Sequence, residues 1–166
     1  MTISAEDFKQ GMRRLGGAVN IVTAANDGVW AGLTATAVTS LSAEPPRLLA
    51  CVNRQGATYD TISRGRKLAV NVLGVHHKEL AMRFAGMNNE PENERFDGGD
   101  WSAAEGCAPV LGDALVSFVC DVENIMDVGS HGIVIGSIRS INVAEGNPIT
   151  PLCYVDGNWA QLTKLG

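Results

Sequence analysis

The sequence predicts a mainly β chain folded as one domain, an antiparallel barrel either closed or split, with a few short helices. Residues 114–126 and 131–143 are two long runs of alternating apolar and polar character, joined only by Asp127-Val-Gly-Ser130. That is the spacing of paired strands. Asn26-Asp27-Gly28 and Asp156-Gly157-Asn158 carry the chemistry of tight hairpin turns. The helical stretches are few and never alternate with strands in the βαβ order of a parallel sheet.

The elements follow in order. Residues 5–15 read as a helix, since Phe8, Met12 and Leu15 recur at i, i+4 and i+7. Ser4 and Asp7 have capping-box spacing, and Gly16-Gly17 stops the helix. Residues 19–24 are a β-rich run leading into the turn before Trp30. Residues 31–42 read as one strand of small side chains, turning at Pro45-Pro46 into a second strand over 48–53. Residues 57–64 form a short helix ended by Gly65, and 67–73 another strand. Residues 75–85 return to a helical pattern, with Leu80, Ala81, Phe84 and Ala85 on one stripe and Gly86 as the stop. The polar residues 88–106 read as a long loop, of a length usually kept for function or packing. Strands at 152–155 and 159–162 close the chain.

Bulk properties exclude several classes. With 13 Lys and Arg against 18 Asp and Glu, the net charge of −5 argues against a nucleic-acid binder, which needs a basic patch. No apolar run is long enough to span a bilayer, and the N-terminus lacks a signal-peptide pattern, so a cytoplasmic protein is expected. Cys51, Cys107, Cys120 and Cys153 stand singly with no CxxC pair, which argues against zinc; no metal site is expected. Cys51, Cys120 and Cys153 lie in strand-like sequence and are expected to be buried and reduced, whereas Cys107 falls in a loop.

Neither a GxGxxG fingerprint nor a GxxxxGK[ST] loop is present, so a nucleotide would be held by other means. The alternating Thr34-Ala-Thr-Ala37 leaves a strand face with hydroxyls, backbone amides and little bulk. It suits either a flat ligand or the taper of a barrel. Asn53-Arg-Gln-Gly-Ala-Thr58 leads into a helix and offers either an anion site or an ordinary cap. Arg83 reads as a phosphate contact or a solvated charge. His131, between Gly129 and Gly132, reads as a turn residue or a ligand contact. His76-His77 lacks the i,i+4 spacing of a metal pair and reads as solvated. No Ser-His-Asp arrangement or carboxylate pair stands out, so redox chemistry would come from an organic cofactor.

Taken in order, these segments resemble the short-chain flavin reductases, the reductase components of two-component flavin monooxygenases. The resemblance runs from Met12-Arg-Arg-Leu-Gly-Gly-Ala-Val-Asn-Ile-Val-Thr23 to the Tyr154 strand. It is carried by Gly32-Leu-Thr-Ala-Thr-Ala-Val-Thr-Ser-Leu-Ser42 with Pro45-Pro46, by Cys51-Val-Asn53, Leu68-Ala-Val-Asn-Val-Leu73 and Arg83-Phe-Ala-Gly86, and by Gly129-Ser-His131. It implies a dimeric split β-barrel of the FMN-binding type, taking FMN or FAD near the dimer interface and NADH or NADPH as donor. Thr34, Ala35, Thr36 and Ala37 would line the isoalloxazine. Val52, Asn53 and Arg54 would border the ribityl chain, with Thr58 and Arg83 near the phosphate and Phe84 and Ala85 completing the wall. His131 would contact the nicotinamide nucleotide, with Ser130 where the family commonly has Asp. The implied activity is hydride transfer from NADH to flavin, supplying reduced flavin to a partner monooxygenase. A flavin-dependent corrin reductase of cobalamin biosynthesis shares the same site, and a non-catalytic flavin- or haem-binding split barrel shares the fold.

Overall fold

The computed structural model describes residues 2–146 and 150–165. Helix α1 (Ala5–Arg13) starts at Ser4, whose hydroxyl accepts the Asp7 N–H at 3.0 Å and donates to the Asp7 carboxylate at 2.6 Å. It ends two residues earlier than its periodicity suggests. Phe8, Met12 and Leu15 stay exposed, so this apolar stripe has no core to face within the chain.

Among the described residues twelve strands follow: β1 (Gly17–Ala18), β2 (Asn20–Asn26), β3 (Val29–Ala35), β4 (Val38–Ala43), β5 (Pro46–Asn53), β6 (Lys67–Val72), β7 (Trp101–Ser102), β8 (Val110–Leu111), β9 (Val116–Val128), β10 (His131–Val143), β11 (Leu152–Val155) and β12 (Asn158–Gln161). Helix α2 (Ala57–Gly65) separates β5 from β6, and α3 (Lys78–Phe84) follows β6. The main antiparallel sheet has the order β3-β2-β6-β9-β10-β5-β4. A smaller sheet orders as β1-β11-β12, and β7 pairs β8. The hairpin turns lie where the sequence puts them. Asp27 and Gly28 both have positive φ (49° and 79°), as do Asp156 and Gly157 (52° and 76°). Both turns are two-residue loops of the mirror-image type that matches strand twist.

Residues 31–42 are not one strand. They break at Thr36-Ala37, and β3 and β4 occupy opposite edges of the seven-stranded sheet. Two linking residues reach only about 11 Å at 3.8 Å per step, so the sheet must curl until its edges almost meet. This makes the sheet a split barrel, and the split falls at Thr36-Ala37. Alternation alone does not reveal the break, because both halves carry the same small-residue pattern.

Two cores result. One fills the barrel with Val22, Leu48, Val52, Leu68, Val70 and Val134; the other packs Ile21, Leu73, Leu80, Phe84, Leu111 and Leu152 outside it. Strand β2 feeds both, Val22 inward and Ile21 outward, which explains its unbroken burial from Asn20 to Ala24. Asn71 ties the outer core together. Its Oδ1 accepts from the Leu111 N–H at 2.9 Å and the Ser117 hydroxyl at 2.8 Å, while Nδ2 donates to the Ile21 carbonyl at 3.2 Å.

Three further expectations change. Residues 88–106 contain a 3₁₀ segment, Glu92–Gly98, and strand β7, so they are not a bare loop. Phe96 explains why: its ring packs edge-on against Phe84 and Trp101, with centroids 5.1 and 5.2 Å apart. Of the cysteines, Cys120 and Cys153 are buried, and burial pushes the Cys120 thiol up to about 12. Cys51 is half-buried, because its alternation partner is the cleft and not the core. His77 is not solvated. It is 6% exposed, its Nδ1 accepts the Gly74 N–H at 3.1 Å, and its Nε2 lies 3.0 Å from Asp113. Since Nδ1 is an acceptor, the neutral ring carries its proton on Nε2. His76 is exposed and its ring lies over His77, with centroids 3.8 Å apart.

Candidate functional site

A cleft of about 820 Å³ opens at the split of the barrel, within the range of small-molecule sites. Thr34, Ala35, Thr36 and Ala37 form one wall, Asn53 and His131 a second, and Phe84 and Ala85 a third. Strand β5 supplies its wall by period-2 alternation: Cys51 and Asn53 face the cleft, while Val52 points into the barrel core. Val52 could therefore border a ligand only through its backbone.

The break between β3 and β4 leaves hydrogen-bonding capacity in the wall. The Thr36 carbonyl accepts from Val38 N–H and the Ala37 carbonyl from Cys51 N–H, each at 2.9 Å. Among the described residues, the N–H groups of Thr36 and Ala37 have no protein acceptor. Two such donors beside small side chains suit a flat ring with acceptor atoms along its edge. The Thr34 hydroxyl is committed elsewhere, donating to the Ala81 carbonyl of α3 at 2.7 Å. It ties the wall to α3 and so to Phe84.

His131 begins β10, opposite Asn53 of β5 and Val128 of β9. Its Nδ1 lies 2.8 Å from the Ser130 hydroxyl. The turn that carries it is clamped from α2. Tyr59 donates its hydroxyl proton to Asp127, which also pairs with Arg54 at 3.0 Å; Arg54 Nη1 donates to the Gly129 carbonyl at 3.1 Å. The bond to Asp127 favours the protonated phenol and raises the Tyr59 pKa. Gly132 admits this clamp, because a Cβ there would stand 2.5 Å from Tyr59 Cε2.

Three residues singled out from the sequence stand apart from the cleft wall. Arg54 holds the His131 turn through Asp127 and Gly129. Thr58 is buried in the first turn of α2. Arg83 is engaged by Glu90 at 2.8 Å, and its guanidinium packs on Gly98. The cleft instead receives Arg95, which the sequence reading missed. A signal existed: Arg95-Phe96 repeats the Arg83-Phe84 pair inside an otherwise polar stretch. Phe8 and Met12 of α1 also rim the cleft, as does Val128.

A curled sheet whose opening exposes free amides between apolar walls is a split barrel built to hold a planar cofactor. The chain belongs to the flavin reductase like domain family, whose model matches residues 12–163. It is 43% identical over 151 residues to FMN reductase (NADH) RutF 2 of Rhizobium rhizogenes, covering 91% of this chain and 85% of that one. Its fold matches a flavin reductase domain protein from Arthrobacter sp. FB24 with a TM-score of 0.87 and 30% identity, over 98% of each chain. It also matches the flavin reductase HpaC, solved with NADP+, with a TM-score of 0.86 and 28% identity, over 98% of this chain and all of the other. Among the described residues, no helix is long and apolar enough to cross a membrane.

Proposed function

We propose that this chain is an NADH-dependent FMN reductase that binds flavin in the cleft at the split of the barrel and hands reduced flavin to a separate oxygenase. The observation that carries the reading is the wall Thr34–Ala37, with its two unpartnered amides, set opposite His131 in a chain of this family. The identity to RutF-named FMN reductases supports FMN and NADH as the pair used.

A flavin held in this cleft would supply the redox chemistry, as the acceptor of hydride from a nicotinamide. The protein's part is binding and orientation. Thr36 and Ala37 N–H groups hold the ring edge and favour the charge that develops on reduction. Phe84 and Ala85 supply an apolar wall that keeps water from one side. His131 holds the nicotinamide nucleotide through the ring nitrogen not engaged by Ser130, and the Arg54–Asp127–Tyr59 clamp holds His131 in position.

The working unit is a homodimer. Phe8, Met12 and Val128 at the cleft rim are 63%, 48% and 59% exposed. Exposed apolar groups gathered at one site favour association, and a second copy would cover them.

The test follows NADH oxidation by purified protein with FMN, FAD or a cob(II)alamin-type corrin as acceptor. FMN turnover above the others is expected, with His131→Ala raising KM for NADH. No oxidation with any acceptor overturns the reading. Preference for the corrin moves the acceptor while keeping the site. Sedimentation of wild type and a Phe8→Glu, Met12→Glu variant tests the dimer: an unchanged mass in the variant removes this rim from the interface.

A further inference from the structure

His77 belongs to no wall of the cleft, yet its buried ring closes the start of the segment that carries one. The 3₁₀ turn Val75–His77 runs directly into α3. Two bonds cross at its entry. The His77 N–H donates to the Gly74 carbonyl at 2.9 Å, and the Gly74 N–H donates to His77 Nδ1 at 3.1 Å. The imidazole thus caps the turn as a glutamate closes a capping box. Gly74 is anchored from the other side as well: it bridges Pro151, and the Val75 N–H donates to the Thr150 carbonyl at 3.1 Å. From this cap α3 leads to Ala81, whose carbonyl accepts the Thr34 hydroxyl at 2.7 Å, and on to Phe84 and Ala85 in the cleft wall.

The cap exists only for the neutral ring. Nδ1 accepts the Gly74 N–H while it keeps its lone pair, and a proton there sets two donors against each other. The other nitrogen has a second partner at hand. Asp113 Oδ1 is 3.0 Å from Nε2, yet the N–H is misdirected, and Nε2 is enclosed without a hydrogen bond. A charged ring that leaves Gly74 and turns gains that carboxylate, so the charge on the ring selects between two arrangements. Two titratable groups face it. Asp113, between β8 and β9, favours the charged ring; His76, whose ring lies 3.8 Å away, opposes it, as burial does. Lys78 and Glu79 of α3 are exposed, and β11, packed on the turn, brings only Cys153 and Tyr154.

We propose that His77 is a proton-sensitive positioning residue: its neutral ring latches α3 and the Phe84–Ala85 wall in place, and its protonation releases that wall and loosens the hold on flavin. This rests on the flavin-cleft reading above. The latch is shut above the ordinary histidine value of about 6.5 and opens as pH falls through the folded value, which burial places lower.

The test uses riboflavin, which has no phosphate to titrate, and follows its affinity by quenching of flavin fluorescence between about pH 7.5 and about pH 5. Protection of the α3 amides from hydrogen exchange, corrected for the intrinsic pH dependence, reads the latch without any ligand. Wild type is expected to bind at least about 5-fold more weakly at the acid end and to lose α3 protection over the same range. His77→Asn offers an amide oxygen to the Gly74 N–H and does not titrate, so its affinity is expected to stay within about 2-fold. The neighbours should move the midpoint in opposite directions, His76→Asn upward and Asp113→Asn downward. A wild-type affinity indifferent to pH overturns the proposal, as does an equal acid fall in His77→Asn, which assigns the fall to another group such as His131. Should His77→Asn lose its far-ultraviolet circular dichroism, the other two variants decide; midpoints that do not separate in those directions overturn the proposal. A wild type that binds no riboflavin at any pH overturns the flavin reading, whereas α3 protection that survives at low pH overturns the latch.

Discussion

Replacing Gly32 with alanine tests how closely the cleft wall is coupled to the outer core. A Cβ at position 32 would stand 2.7 Å from Cε1 and 3.0 Å from Cδ1 of Phe84, and 3.3 Å from the Val22 carbonyl oxygen. Carbon atoms prefer separations of about 3.5 Å or more, so the ring must retreat by roughly 0.8 Å. It has little room: Phe84 is 1% exposed, with Phe96 and Trp101 centroids 5.1 and 5.3 Å away. Overpacking of this kind costs about 1–3 kcal/mol, against which alanine recovers about 0.5–1 kcal/mol of backbone entropy. The net expectation is a loss of about 1–2 kcal/mol. Phe84→Leu alone costs about 1–2 kcal/mol, less than the 3–5 of full truncation. Because leucine removes the ring edge that clashes, the double variant should be more stable than the sum of the single losses by at least about 1 kcal/mol. Urea unfolding of the four proteins, followed by far-ultraviolet circular dichroism, measures the cycle. Losses that simply add, within about 0.5 kcal/mol, would refute the contact between Gly32 and Phe84 as the cause.

Other perturbations probe the remaining links. Asn71→Ala strands the Leu111 N–H, the Ser117 hydroxyl and the Ile21 carbonyl, and is expected to cost about 2–4 kcal/mol in the same assay; a loss below about 1 kcal/mol would mean these groups find other partners. Arg54→Ala removes an ion pair whose side chains are 41% and 44% exposed, so stability should drop by less than about 1 kcal/mol. The loosened turn should raise KM for NADH, and an unchanged KM disconnects the clamp from His131. Burial holds the His77 pKa below its ordinary value, with Asp113 pulling the other way. As pH falls, the unfolded chain therefore takes the proton first. The contribution of His77 is full above the ordinary histidine value of about 6.5 and is lost as pH drops below it toward the folded value. Urea midpoints between about pH 8 and pH 5 should fall less in His77→Gln than in wild type; parallel slopes would exclude His77 as the source.

Much of the fold was legible in the sequence because its signals are local. The Asn26-Asp27-Gly28 and Asp156-Gly157 turns need positive φ at consecutive residues, a preference written in residue type. Ser4 caps α1 through an atom three residues away. The break at Thr36-Ala37 was not legible, because what splits 31–42 is pairing with β2 on one side and β5 on the other. The 3₁₀ segment was hidden for the same reason, since Phe96 orders it by packing on Phe84, Trp30 and Trp101.

Sequence by itself determined most of the longer strands, the tight turns, the family and the small-residue wall Thr34–Ala37. Tertiary structure decided which of the nearby arginines lines the cleft. Arg54, Arg83 and Arg95 are alike as residue types, and partners elsewhere in the fold distinguish them. Asp127 draws Arg54 to the His131 turn, Glu90 holds Arg83, and the Gly32 carbonyl holds Arg95 at the cleft. An arginine's long side chain can reach in many directions. The carboxylates and carbonyls the fold brings within about 3 Å decide where its charge goes.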